Sequence, residues 1–191
     1  MRNLESKKKK ISTENLVICG ILIAFYIILT KFVSIHSGTT KIGFGFLAIF
    51  LGGYLLGPIY GGLVGALGDL LGTLLFPLDG AYFPGFTLTA FLSGVLFGLV
   101  FKDNYKEKLK LRVGISVGVD QLILSLLLNT FWISLISGNS TFMGLLGVRL
   151  VQVLIMIIVE PVCIFAIVKL IDRNKIITKK KAKEVESKEE Q

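Results

Sequence analysis

Between Leu16 and Phe101 the only charged residues are Lys31, Lys41, Asp69 and Asp79, and between Val113 and Val168 only Asp120, Arg149 and Glu160 interrupt the apolar run. A chain this poor in charge has to live in lipid. Lipid offers no water to the amides, so each crossing must satisfy its own backbone hydrogen bonds. The fold class that follows is an all-α integral membrane protein, and the 53% apolar content agrees with it.

A crossing takes about 20 residues at 1.5 Å rise each. The apolar runs place six spans, near 16–33, 43–56, 59–76, 86–101, 113–136 and 141–171. The second and fourth are short and the sixth is long, which implies tilt or local thinning of the bilayer. Residues 1–15 read as a basic N-terminal segment, 16–171 as the membrane domain and 172–191 as a charged tail, solvated or frayed. The first span is not a signal peptide, because no small-x-small cleavage site follows it and the rest of the chain is equally apolar.

The net charge of +8 reflects topology rather than nucleic acid: Lys and Arg concentrate in residues 1–10, 102–112 and 169–191. Basic segments beside spans stay on the cytoplasmic side. With four spans before the central basic loop and two after it, both termini are expected in the cytoplasm. The loops 34–42, 77–85 and 137–140 then lie outside, and Gly57-Pro58 makes a tight inner turn. Glycines crowd the second and third spans, from Gly43 to Gly72, as close helix packing requires. Cys19 and Cys163 fall in apolar helix and read as packing residues.

A carboxylate within a span is costly enough that Asp69 should face protein or a polar cavity. Counted from the outer helix ends, Asp69, Asn129 and Arg149 share one depth, roughly 10–12 Å in. On an α-helix Trp132 and Ser125 would share the face of Asn129, and Gln152 that of Arg149. A ring, an amide and fixed charges at one level suit a small polar aromatic ligand. The alternative is a buried Asp69–Arg149 ion pair that fixes helix order, and Trp132 alone would read as part of the interfacial belt.

Lys31, His36 and Lys41 put positive charge around the first outer loop, against Asp79 in the second, a mild bias toward an anion. His36 has no companions for a metal site. No acid pair, nucleophile triad or metal cluster supports an enzyme, and no resident cofactor is expected. Asp120 and Glu160 lie nearer the cytoplasmic side and suggest inner-face packing or contact with another protein; Glu160-Pro161 marks a candidate kink. A proton-coupled carrier acting alone would make these two acids central instead.

The run from Gly68 to Gly94, above all Phe83-Pro84-Gly85-Phe86-Thr87-Leu88-Thr89-Ala90-Phe91, resembles the folate-specific substrate-binding (S) component of the energy-coupling factor (ECF) vitamin transporters. Asn129-Thr130-Phe131-Trp132 and Arg149 followed by Ile155-Met156 extend the resemblance over most of 16–171. It departs at Gln152, where the family has a basic residue, and after Ile155-Met156, where the next proline is Pro161.

The resemblance implies a multi-pass protein of the bacterial cell membrane that captures folate or a close pterin analogue from outside; the alternative is the same architecture with another vitamin or nucleobase as ligand. Its partners would be a membrane coupling protein and two ABC ATPase subunits that alone bind ATP. Together with the polar layer and the loop charges, the resemblance gives a candidate set of ligand residues: His36, Lys41, Asp69, Tyr82, Phe83, Phe86, Asn129, Trp132, Arg149 and Gln152. Gly20 and Ala24, small residues four apart on the first span, would face the coupling protein.

Overall fold

The computed structural model describes residues 13–37, 40–78, 82–101, 108–137 and 142–189, with side chains described outside 35–41 and 174–189. Six helices stand among the described residues, each covering one expected span. They sort into two compact units, one of residues 1–35 and 43–103, the other of 36–42 and 104–191.

The first unit is built from α1 (Thr13–Lys31), α2 (Phe46–Leu56), α3 (Pro58–Leu75) and α4 (Pro84–Val100). Its assembly depends on missing side chains. A Cβ on Gly61 would lie 2.6 Å from Gly53 Cα and 2.7 Å from Gly94 O, and one on Gly53 would lie 2.7 Å from Gly98 N. The backbones of α2, α3 and α4 therefore touch, and dispersion between them replaces the hydrophobic effect that lipid does not supply. The α2–α3 turn is made by Gly57 at φ 97°, a left-handed conformation that Cβ disfavours, with Pro58 at the first position of α3.

Phe50, fully buried on α2, packs edge-on against Phe97 at 5.7 Å and Phe101 at 5.1 Å, and stacks on Tyr54 at 5.5 Å. Cys19 packs with Leu22 and Val64 as a small buried apolar residue, as its place in the sequence suggested. The other face of α1 leaves Leu16, Val17, Ile21, Phe25 and Ile28 exposed, as a helix in lipid requires. With 11 residues, α2 rises roughly 16 Å, about half the hydrocarbon thickness, so it does not cross alone as a straight helix.

The second unit contains α5 (Leu109–Ser137) and α6 (Phe142–Glu189). Two three-residue strands, β1 (Ile35–Ser37) and β2 (Thr40–Ile42), pair where a plain outer loop was expected, and β2 packs on α6. The middle of α5, Asp120–Leu128, is wound as a π-helix. At its end the Asn129 N–H reaches back five residues to Leu124 O, so one turn holds an extra residue.

One boundary differs from the sequence reading. Pro161 sits inside α6 without ending it, and the helix continues to Glu189 rather than stopping at 171. The tail's Lys, Glu and Ala residues are strong helix formers. A helix already nucleated in the membrane extends through such a sequence at little cost.

Candidate functional site

In the first unit the chemistry gathers where α3 meets the start of α4. Phe83 is extended and Pro84 opens α4, which needs no N–H from that position, so the chain turns inward at once. This brings Thr87 one helical turn inside the bundle, where its Oγ1 donates a 2.7 Å hydrogen bond to Asp69 Oδ2. The same hydroxyl lies 3.3 Å from the Tyr82 hydroxyl. Phe83 and Phe86 meet edge to face at 5.9 Å. Asp69, Tyr82, Phe83 and Phe86 are thus drawn into one neighbourhood, with Thr87 at its centre.

Sequence reasoning overlooked Thr87 as a site residue, although it belongs to the Phe83–Phe91 string. Its signal is positional: a β-branched hydroxyl three residues after a helix-opening proline. Lys31 also differs from expectation. Read as part of a cationic loop mouth, it is instead the last residue of α1 and only 7% exposed, its aliphatic chain laid against Gly72.

In the second unit Asn129, Trp132, Arg149 and Gln152 occupy the end of α5 and the first turns of α6. Arg149 and Gln152 are buried at 5% and 8% exposure. Arg149 Nη2 donates to the backbone oxygen of Ser125 at 3.1 Å, tying α6 to the π-helical stretch of α5. A carbonyl has a second lone pair for such a donor, and π-winding loosens the ladder around it. The Trp132 ring lies 5.0 Å from that of Phe131, tilted by 57°. Asn129 Oδ1 is buried without a hydrogen-bond partner among the described residues.

The α-helical phase expected between Ser125 and Asn129 does not hold, whereas Asn129 and Trp132 both lie in the α-helical stretch Asn129–Ser137. The π stretch inserts a residue below Asn129, so residues are not one α-turn apart across it. His36 and Lys41 lie on β1 and β2, with side chains outside the described residues, as is the whole of Asp79. Asp120 and Glu160 point inward: Glu160 is 1% exposed, Asp120 is 6% exposed, and Gln121 Nε2 donates to Glu160 Oε1 at 2.7 Å. No group of three or more His, Cys, Asp or Glu stands in metal-binding range among the described residues.

On α1, Gly20 and Ala24 are exposed, and nothing lies within 4 Å of the position a Cβ on Gly20 would take. The face that carries them is open in the chain by itself.

The chain matches the family model described as "ECF-type riboflavin transporter, S component" over residues 10–171. A curated protein of Clostridium novyi (strain NT), "Folate transporter FolT", is 36% identical over 164 residues, covering 86% of this chain and 93% of the relative. Among solved structures, "Crystal structure of FolT bound with folic acid" aligns with TM-score 0.74 and 28% identity over 82% of this chain and 93% of that one. A second, "Structure and mechanism of the S component of a bacterial ECF transporter", aligns with TM-score 0.58 over 83% of this chain and 97% of the other; at 22% identity it speaks for the fold alone. The chain is a multi-pass membrane protein and belongs to the family of ECF-type transporter S components.

Proposed function

We propose that this S component captures folate, or a close pterin analogue, from outside the cell and delivers it across the membrane. The observation that carries the reading is the 36% identity to the folate transporter of C. novyi along nearly the whole of both chains. A structural relative bound to folic acid supports it. The second reading is riboflavin, the vitamin in the description of the matching family model.

Each unit contributes its own contacts. In the first, Asp69 accepts from the amino and ring N–H groups of the pterin, a donor pair that a carboxylate matches edge to edge. Tyr82, Phe83 and Phe86 line that edge with aromatic surface. In the second, Trp132 stacks on the ring, Asn129 and Gln152 meet its polar edge, and Arg149 holds a glutamate carboxylate of the ligand. Lys41 and His36 add positive charge for the same carboxylates.

Residues 16–171 form the ligand-binding domain, flanked by cytoplasmic segments 1–15 and 172–191, so that both termini face the cytoplasm. A membrane coupling protein docks on α1 at Gly20 and Ala24, whose small side chains permit close helix approach. Two ABC ATPase subunits bind the ATP that drives transport; the chain itself carries no nucleotide motif and is not an enzyme.

Purification in detergent followed by an absorbance spectrum and mass of the co-purified ligand tests the reading. A pterin spectrum and the mass of a folate are expected. The visible absorbance and fluorescence of a flavin would overturn it in favour of riboflavin.

A further inference from the structure

Lys31 is a cation buried among apolar helices, and its surroundings identify what compensates it. Its Cε lies 3.6 Å from the place a Cβ on Gly72 would occupy, so the chain runs across the bare backbone of α3. The ammonium nitrogen is roughly 1.5 Å further on. Asp69 lies three residues before Gly72 on the same helix, within the roughly 5–6 Å that separates side chains at that spacing.

No other described carboxylate of the first unit lies nearby. Glu14 is in the opposite turn of α1, roughly 25 Å away by helical rise. A lysine at the end of a span ordinarily extends its amine to the headgroups. At 7% exposure and laid on Gly72, Lys31 does not.

We infer that Lys31 is the charge partner of Asp69, and that Lys31 and Thr87 together hold the Asp69 carboxylate in place as an acceptor for the ligand. Lys31 is then a positioning residue. The partnership stands on the geometry of the first unit. Its consequence for affinity rests on the folate reading above.

Four forms of the full chain, purified in detergent and stripped of ligand, test the pairing: the unaltered protein, Lys31→Met, Asp69→Asn and the double variant. Because Lys31→Met leaves the half-buried Asp69 without its counter-charge and Asp69→Asn leaves the buried Lys31 without its own, each should lower the melting temperature, and the double variant should lie above Lys31→Met. Additive losses would overturn the pair, as would a double variant that fails to fold while Asp69→Asn folds.

Titration with folate tests the positioning. Lys31→Met should weaken affinity by about tenfold or more, and Lys31→Arg should recover most of it. Unchanged affinity in Lys31→Met, with the stability coupling present, would overturn the positioning role. If the unaltered protein does not bind folate, the functional reading fails while the stability cycle still judges the pair.

Discussion

Thr87 and Asp69, eighteen residues apart in the chain, are joined by a 2.7 Å hydrogen bond from the threonine hydroxyl to the carboxylate. The bond fixes α4 against α3 and aims one oxygen of the only acid on either helix. Thr87→Val keeps the shape and removes the donor. Folate affinity should fall about three- to tenfold, less than the full worth of one charge-assisted hydrogen bond because Thr87 acts through Asp69, with Thr87→Ser close to the unaltered protein. Calorimetric titration of the three proteins checks the order; equal affinities would mean that Thr87 serves the fold only.

The glycine contacts give a graded test of the first unit. Gly61→Ala places a methyl group 2.6 Å from Gly53 Cα, backbone against backbone, where no side-chain rotation relieves it. Separating the helices should cost about 1–3 kcal/mol and lower the melting temperature in detergent. Gly114→Ala, with nothing within 4 Å of the new methyl, should be neutral or slightly stabilising through helix propensity. Equal effects would argue against backbone contact as the organising force.

These contacts show which parts of the structure were legible in the sequence. Six helices follow from the apolar runs, and the close approach of α2 and α3 follows from their glycines, because both are local properties repeated along the chain; the part of Gly94 and Gly98 on α4 was not read. The neighbourhood of Asp69, Tyr82, Phe83 and Phe86 was legible through the Phe83–Phe91 string. The π-winding of Asp120–Leu128 was not: Leu, Ile and Ser suit α and π turns alike, and tertiary packing decides between them. Lys31 was misread because a charge at a helix end resembles a loop residue until the neighbouring helix, bare at Gly72, is seen to receive it. The pairing of β1 and β2 was missed because three-residue strands carry too short a pattern to recognise.

The amide–carboxylate bond within the second unit makes a different prediction. Gln121 Nε2 donates to Glu160 Oε1 at 2.7 Å, and both side chains are almost wholly buried. Gln121→Leu leaves the carboxylate without that donor and should destabilise the protein by about 1–3 kcal/mol. Glu160→Gln retains an acceptor oxygen for Gln121 and removes the acid from a buried setting, so stability should hold or rise. Thermal unfolding of both variants decides, and transport in cells should persist in Glu160→Gln. Loss of transport with intact folate binding would instead assign Glu160 a part in the transport cycle.

Asn129 offers the sharpest contrast between fold and function. Its Oδ1 is buried with no partner among the described residues, an arrangement that costs about 1–3 kcal/mol unless something else donates to it. A residue that only served the fold would gain from becoming apolar. Asn129→Leu should therefore raise the melting temperature of the ligand-free protein and weaken folate binding by about tenfold, because the ligand's donor then meets a methyl group. The two changes in opposite directions are the mark of a binding residue. A lowered melting temperature with unaltered affinity would place Asn129 in the scaffold and transfer recognition of the pterin edge to Gln152.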